Sequence, residues 1–176
     1  MGTKNLRIRD ARSTDRGDIE AVTLAAYQQY AALMPAHWEG YRQNIVSTLA
    51  AAQPDAQIVA EAEDRIVGSV LLYPAGTVIA RPGGGSITLA SPEVRLLAVS
   101  PAARGQGVGV TLMHECIRRA RLSGAPSLTL HTTEIMEAAM RLYDRLGFRR
   151  APELDFQPAP DVIIKGYRLG LEQRAS

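Results

Sequence analysis

Residues 93–109 read Glu-Val-Arg-Leu-Leu-Ala-Val-Ser-Pro-Ala-Ala-Arg-Gly-Gln-Gly-Val-Gly and decide the fold of this chain. The short apolar run 94–99 predicts a buried strand, which ends at Ser100 and Pro101 because proline cannot continue a strand ladder. A helix is predicted directly after the glycines, since apolar residues recur on one face at a period of 3.6. These residues are Val108, Leu112, Met113, Cys116, Ile117 and Ala120.

The glycine-rich turn between the strand and the helix predicts an anion site. Gly105, Gly107 and Gly109 carry no side chains, so their backbone N–H groups can approach a bulky ligand closely. The first N–H groups of a helix are unpaired and lie at its positive end, and Arg104 adds a full charge beside them. Together these features indicate a cradle for a pyrophosphate.

Three interpretations of this turn compete. A dinucleotide fingerprint requires Gly-x-Gly-x-x-Gly near the start of a βαβ unit, whereas this spacing is Gly-x-Gly-x-Gly and lies past the middle of the chain. A phosphate-binding P-loop requires Gly-Lys followed by Ser or Thr, which the chain lacks. A glycine-rich connection without a ligand is the third interpretation. The proline, the arginine and the three glycines at anion-site positions favour the cradle.

Two motifs carry a family resemblance. Arg104-x-x-Gly107-x-Gly109, preceded by Val99-x-Pro101, resembles the acetyl-coenzyme A signature of the GNAT acetyltransferase superfamily. Further along, residues 139–148 read Ala-Met-Arg-Leu-Tyr-Asp-Arg-Leu-Gly-Phe and resemble the superfamily's Ala-x-x-Leu-Tyr-x-x-x-Gly-Phe segment. The motifs follow in the family's order, and the pattern of strands and helices extends the resemblance over nearly the whole chain.

Composition bounds the class of protein. The 176 residues fit a single domain, 1–176, with a core over about 6–171. Apolar residues make up 46% and charged residues 22%, and no apolar run is long enough to span a membrane. A net charge of +2 is too small to indicate nucleic-acid binding. The N-terminus lacks the apolar core of a signal peptide, so we expect a cytoplasmic protein whose single cysteine is a buried thiol.

The order of periodic segments indicates an α/β fold with a central strand at 93–99. The resemblance implies a GNAT-like, mixed and mostly antiparallel sheet of about seven strands flanked by about four helices. A first helix, carrying Ile19 and Leu33 on its apolar face, is expected to end near Pro35. An additional hairpin around Pro82-Gly83-Gly84-Gly85 could serve as a lid, as a dimer contact or as neither. The other predicted strands are 6–10, 57–62, 66–73, 127–131, 148–150 and 162–171, and the other predicted helices are 39–52, 110–121 and 135–146.

Acetyl transfer to an amine requires a base, because an alkylamine with a pKa near 10.4 is neutral in only about one molecule in 2,500 at pH 7. The resemblance implies Glu93, at the start of the central strand, where several family members carry a catalytic glutamate. A carboxylate in this position can equally be solvated or pair with Arg95. His131, at the end of the next strand, is an alternative base or a hydrogen-bonded structural histidine.

The resemblance also implies which residues bind acetyl-CoA. Backbone groups of the strand before the turn pair with the pantetheine arm and stabilise the oxyanion. The family often has an asparagine where this chain has Met136, so Thr132 or Thr133 is expected to supply that contact. Tyr143 is expected to protonate the leaving thiolate, although the same position on an apolar helix face suits a packed core tyrosine. The implied cofactor-binding residues are Leu97, Ala98, Val99, Arg104, Gly105, Gln106, Gly107, Val108, Gly109 and Thr132.

The acceptor site is poorly encoded, and aromatic residues near the first two helices are candidates to line it or simply to pack the helices together. They are Tyr27, Tyr30 and Trp38, with His37 and Tyr41 as neighbours. We expect an acyltransferase that moves an acetyl group to a primary amine of a small molecule or peptide in a ternary complex. No metal, nucleic acid or membrane partner is expected, and a homodimer is possible by resemblance. The alternatives are a cofactor-binding regulatory or scaffold module without turnover, and an acyltransferase with another acyl donor.

Overall fold

The structure is a computed structural model that describes residues 5–81 and 84–172. The N-terminal residues 1–4 and the Pro82 and Gly83 of the predicted hairpin turn lie outside the described residues. The α-helices are α1 (Arg16–Tyr27), α2 (Trp38–Ala51), α3 (Val108–Leu122) and α4 (Glu137–Arg145). The strands are β1 (Arg7–Asp10), β2 (Gln57–Ala62), β3 (Arg65–Tyr73), β4 (Val78–Ala80), β5 (Ser86–Thr88), β6 (Glu93–Val99), β7 (Ser127–Thr132), β8 (Arg149–Arg150), β9 (Phe156–Ala159) and β10 (Val162–Gly170).

The chain forms two compact units, and both β6 and α3 contribute to each. The first unit comprises Met1–Leu72 and Leu96–Glu115. Its strands follow the order β1, β2, β3, β6, with β2 antiparallel to both β1 and β3. The predicted hairpin between β2 and β3 is confirmed, and it turns through Glu63 and Asp64 with φ of 50° and 57°. Two successive left-handed residues match the right-handed twist of the strands that they join.

The second unit comprises Tyr73–Arg95 and Cys116–Ser176. Here the strands follow the order β6, β7, β10, β8, and β9 pairs with β10. The β6 and β7 strands run parallel, with Glu93 opposite Thr129 and Val94 opposite Leu130. The β10 strand is antiparallel to β7, β8 and β9. The β4 and β5 strands form a separate two-stranded sheet that corresponds to the predicted additional hairpin.

The predicted fold class, a mixed and mostly antiparallel α/β sheet with four helices, is confirmed. Several predicted boundaries are wrong. The first helix ends at Tyr27 and continues only as a 3-10 turn, so Leu33 is 61% exposed instead of buried. Leu33 is not buried by the rest of the described structure, and a 3.6-residue spacing without tertiary packing does not sustain a helix. The strand β9 was not predicted, because Pro158 masks its extended pattern.

The apolar face predicted for the helix after the glycine turn is confirmed in α3. All of its six predicted residues, Cys116 included, are at most 7% exposed. The 3.6-residue period therefore identifies the side chains through which this helix packs into the core. Among the described residues, no helix has both the length and the hydropathy needed to cross a membrane.

A group of largely buried charged side chains surrounds Arg9 of β1 in the first unit. Arg9 on β1 contacts Asp15 and Glu61, each at 2.6 Å, and its side chain is only 10% exposed. The carboxylate of Asp15 also accepts a hydrogen bond from the backbone N–H of Arg12 at 2.6 Å. The hydrogen bond from Arg9 is the main cause of the lowered pKa of Asp15. One guanidinium thus neutralises two buried carboxylates.

Replacing Arg9 with methionine should lower the free energy of unfolding by about 3–5 kcal/mol, because two buried carboxylates lose their only shared cation. Arg7→Met is the matched control, since Arg7 is an exposed residue of the same strand. Denaturant unfolding of both variants measures the difference. Equal, small losses in the two variants would show that the charge group contributes little.

Candidate active site

In the first unit, the glycine-rich turn presents open backbone in front of a helix start. Gly105 and Gly107 have φ of +73° and +81°, which L side chains rarely adopt, and a Cβ at either position would meet no atom within 4 Å. Helix α3 begins directly afterwards at Val108. Its first N–H groups have no partner within the helix and lie at its positive end. This geometry fits an anion such as a phosphate.

Gly68 on β3 fixes the start of α3, and the sequence analysis missed it. A Cβ at Gly68 would lie 2.9 Å from Val108 Cγ1, 3.0 Å from the Ala98 carbonyl oxygen and 3.1 Å from Leu112 Cδ1. The first contact is shorter than real Cβ contacts and the other two are tighter than most, so a side chain at position 68 would displace its neighbours where the strand packs on the helix. An isolated glycine within a strand pattern is the only sequence signal for this close approach.

Arg104 contributes to the site differently from what the signature suggested. Its Nη2 donates a hydrogen bond of 3.1 Å to the carbonyl oxygen of Ala26, near the C-terminal end of α1. A cation there compensates the negative end of the helix dipole. Its charge also reaches Tyr30, whose pKa is raised by burial and partly lowered again by Arg104. Arg104 therefore joins the turn to α1.

The candidate acceptor aromatics lie together at the end of α1 and the start of α2. Tyr27 contacts Tyr30 edge to face at a centroid distance of 5.9 Å and Tyr41 at 6.0 Å. Trp38 extends the group through Tyr41 at 6.3 Å. Tyr27 is buried, whereas Tyr30 and Trp38 are partly exposed. The cluster packs the end of α1 against the start of α2, and Tyr30 and Trp38 are its partly exposed members.

The strand that leads into the turn is not regular. Leu96 has a φ of +49°, a left-handed conformation that costs roughly 1–2 kcal/mol for a residue with a side chain. Such irregularities in strands frequently accompany functional sites, because they change the direction of the backbone. Leu97 and Val99 are partly exposed and Ala98 is buried in the segment after Leu96. The sequence offers no signal for this distortion.

In the second unit, β6 carries a buried acid. Glu93 is 3% exposed, so the possibility of a solvated strand-end carboxylate is excluded. Its Oε1 atom lies 3.4 Å from His131 Nδ1 and 3.5 Å from Arg95 Nε. Both distances exceed those of a well-formed charge-assisted hydrogen bond. Oε1 is also fully buried and has no hydrogen-bond partner among the described residues. The acid therefore retains acceptor capacity.

His131 lies on β7, and a hydrogen bond from one ring nitrogen orients the other ring nitrogen toward Glu93. Its Nε2 donates to the carbonyl oxygen of Leu154 at 2.9 Å, since a carbonyl can only accept. Nδ1 therefore faces Glu93. Burial lowers the pKa of His131, but Glu93 and the Leu154 carbonyl raise it more, so this pKa lies above its ordinary value. The two candidate bases therefore lie face to face, with Nδ1 of His131 3.4 Å from Oε1 of Glu93.

The segment that carries Leu154 is held firmly in place. A Cβ at Gly166 would lie 2.4 Å from Leu154 Cβ, so the close approach of this segment to β10 requires glycine. Asp155 accepts two hydrogen bonds from Arg150, at 2.9 and 2.8 Å, and one from the Gly166 N–H at 2.8 Å. Arg150 first and the Gly166 N–H second lower the pKa of Asp155 to about 2. These contacts position the carbonyl that orients His131.

Tyr143 lies on α4 and is 6% exposed. Its ring packs against Phe148 at a centroid distance of 5.9 Å. Gly147 ends the helix as predicted, with a φ of +91°. The Gly147 and Phe148 N–H groups each donate at 3.0 Å to helix carbonyls, of Asp144 and Tyr143 respectively, in a Schellman arrangement. The motif Tyr-x-x-x-Gly-Phe is thus a helix end that fixes the tyrosine.

Two threonines at the end of β7 have hydroxyl groups without a hydrogen-bond partner among the described residues. Thr132 Oγ1 and Thr133 Oγ1 are both buried and have no hydrogen-bond partner among the described residues. A buried hydroxyl without a partner costs about 1–3 kcal/mol. Met136, which stands where the family often has asparagine, is 8% exposed and buries its apolar side chain next to α4. The unpaired hydroxyls therefore fit the expectation that a threonine contacts a bound ligand.

The first unit thus carries an open glycine turn before a helix start, and the second unit carries a buried acid. The family model described as the acetyltransferase (GNAT) family matches residues 23–148. Because this match covers most of the chain, the protein belongs to the GNAT acetyltransferase family. The predicted family is confirmed, and so is the enzyme class of an acyltransferase family.

Relatives and solved structures agree with this assignment. An uncharacterized N-acetyltransferase of Schizosaccharomyces pombe is 33% identical over 88 residues, which cover 50% of this chain and 52% of that protein. The PaiA N-acetyltransferase of Thermoplasma acidophilum in complex with coenzyme A has a TM-score of 0.67 at 14% identity, over 94% of this chain and 99% of that one. A Brucella melitensis GNAT acetyltransferase in complex with acetyl-CoA has a TM-score of 0.56 at 20% identity, over 98% and 92%. The chain spans about half or less of the length of the curated relatives that it matches first.

We expect the pKa of His131 to lie above 6.5 and to fall in the Glu93→Gln variant, because the neutral amide no longer stabilises the imidazolium and burial disfavours it. An NMR titration of the imidazole measures both values. Glu137→Gln, which changes an exposed acid of the same unit, should leave this titration unchanged. An unaltered His131 titration in Glu93→Gln would refute the coupling.

Proposed function

We propose that the protein is an acetyl-CoA-dependent N-acetyltransferase that transfers an acetyl group to a primary amine of a small molecule or peptide. The observation that carries this proposal is the left-handed Gly105 and Gly107 ahead of α3, with open space in front of them. Family membership and the buried Glu93 support the transfer chemistry. We further propose direct transfer in a ternary complex, a single domain over 1–176 and a cytoplasmic location.

The residues present fit acetyl-CoA, which would supply the acetyl thioester. We assign binding of its phosphates to Gly105, Gln106, Gly107 and the N–H groups at the start of α3, including Val108 and Gly109. Arg104 supports this turn through its bond to Ala26. Backbone groups of Leu97, Ala98 and Val99 are proposed to pair with the pantetheine arm. The unpaired hydroxyl of Thr132 supports a further contact with that arm.

Glu93 is proposed to accept a proton from the acceptor ammonium, directly or through a water. Neutralising an alkylammonium at pH 7 costs roughly 4.6 kcal/mol, which a positioned base has to offset. His131 shares the proton, because its Nδ1 faces the carboxylate and its Nε2–H is committed to Leu154. In the reaction the thioester C–S bond breaks and an amide C–N bond forms. The acceptor nitrogen gives up two protons: Glu93 takes the first, and the second, released after the attack, balances the proton that the departing thiolate takes up.

Tyr143 is proposed to donate that proton, or a hydrogen bond, to the departing sulfur. A phenol with a pKa near 10 suits a thiolate near 8.5 only where water is excluded, and Tyr143 is 6% exposed. A backbone N–H of β6 is proposed to stabilise the oxyanion, which is worth about 3 kcal/mol for one well-placed donor. Tyr27, Tyr30 and Trp38 remain proposed contacts of the acceptor, and a homodimer remains a proposal.

Gly107→Ala should weaken acetyl-CoA binding by about tenfold to a hundredfold, because charged hydrogen bonds from the turn are lost. Gly124→Ala is a matched control, since its φ of +76° is equally left-handed, a Cβ there also meets no atom within 4 Å, and it follows the other end of α3. Calorimetric titration of folded protein measures both affinities. If acetyl-CoA binding weakened equally in the two variants, backbone strain alone would explain the effect.

Glu93→Gln and Tyr143→Phe should each lower kcat by about a hundredfold to ten-thousandfold, because each removes a proton-transfer group. Glu137→Gln and Tyr167→Phe, which change an exposed acid and another buried tyrosine of the same unit, should keep most of the activity. Thiol release with a panel of amines gives the rates. Binding of acetyl-CoA without turnover of any amine would favour a regulatory or scaffold module, and turnover only with other acyl thioesters would favour another acyl donor.

A further inference from the structure

Arg95 is a partly buried cation whose hydrogen-bonding capacity is unused. It lies two residues after Glu93 on β6, so both side chains project from the same face of the strand. Its side chain is 28% exposed, and its one contact among the described residues is Nε to Glu93 Oε1 at 3.5 Å. A guanidinium has five N–H donors in a planar fork. The outer donors of this fork therefore have no partner in the described part of the chain.

Two other arginines of the protein have guanidinium groups that make short hydrogen bonds to carboxylates. Arg9 contacts two carboxylates at 2.6–3.2 Å, and Arg150 holds Asp155 with two bonds of 2.8 and 2.9 Å. Arg95 has no such pairing, because its one contact with an acid in the described residues is the 3.5 Å approach to Glu93. Because this single contact is long, Glu93 does not satisfy the hydrogen-bond donors of Arg95.

The surroundings of Arg95 are suited to an anion. The carboxylate of Glu93 is shared between Arg95 and His131, so the group carries a net charge of zero or of one positive unit when His131 is protonated. Tyr73 also lies near this group. Burial is the largest cause of its raised pKa, while the charge of Arg95 lowers this pKa and that of Glu93 raises it. An acceptor that offers only an ammonium finds no net attraction here. A carboxylate on the acceptor would pair with the outer fork of Arg95.

We propose that Arg95 is a specificity residue that binds the carboxylate of the acceptor, so that the acceptor is an amino acid. This inference rests on the proposed N-acetyltransferase function, with Glu93 as the base. Because Glu93 Oε1 and Arg95 Nε lie 3.5 Å apart, the amine and the carboxylate must be separated by few bonds, as in an α- or β-amino acid. The product is the corresponding N-acetylamino acid.

The competing explanation is that Arg95 only neutralises the buried Glu93. That role would affect every acceptor alike, since it acts on the base. A role in carboxylate binding affects only acceptors that carry the carboxylate, and it acts on KM more than on kcat. Matched acceptors therefore separate the two explanations.

The experiment compares amino acids with their carboxamides as acceptors, using wild-type protein, Arg95→Gln, Arg95→Lys and the exposed control Arg149→Gln. We expect wild-type kcat/KM to be at least tenfold higher for the acids. Arg95→Gln should lower it tenfold to a hundredfold more for the acids than for the amides, mainly through KM. Arg95→Lys should restore part of the preference, and Arg149→Gln should match the wild type.

Equal losses for acids and amides in Arg95→Gln, or no preference in the wild type, would overturn the proposal. A second measurement covers the case in which no acceptor is acetylated and the proposed activity itself fails. Calorimetry then compares binding of N-acetylamino acids with that of their amides. Tighter binding of the acids that is lost in Arg95→Gln supports the carboxylate site, and equal binding of acids and amides rules it out.

Discussion

Burial of the Glu93 carboxylate is the constraint that organises the second unit. Removing a carboxylate from water costs several kcal/mol unless cations and donors surround it. Here His131 and Arg95 lie beside the carboxylate at 3.4 and 3.5 Å, and His131 is oriented in turn by the carbonyl of Leu154. The position of that carbonyl depends on the absence of a side chain at Gly166. The properties of one acid thus rest on contacts with residues more than 30 positions later.

The arginines show that residue type alone does not determine a role. Arg9 joins two buried carboxylates, Arg150 fixes the loop that orients a histidine, and Arg104 caps the end of a helix. Arg95 is the one of these four whose guanidinium has only a single long contact. All four have the same chemistry, so the difference lies in which acceptors the fold brings within reach. This difference makes Arg95 the candidate for binding a ligand.

Much of the anion-binding turn could be predicted from the sequence, whereas much of its support could not. Left-handed backbone strongly favours glycine, so Gly105 and Gly107 are local sequence signals of the conformation that the turn adopts. The left-handed Leu96 carries no such signal, because the surrounding fold imposes that conformation on an ordinary residue. Gly68 looked like an ordinary strand residue until its distance to Val108 was known. Local conformation is encoded locally, but close approaches between elements are not.

The sequence by itself determined the family, the α/β class, the buried face of α3 and the helix end at Gly147, because each depends on spacing or on a single special residue. The end of the first helix was predicted wrongly, since spacing extended it beyond Tyr27 to residues such as Leu33 that tertiary packing does not bury. Only the tertiary structure decided that Glu93 is buried, that it shares its charge with His131 and that Arg95 keeps donors available. These properties arise from which strands lie side by side, and burial and pairing are set by neighbours distant in the chain.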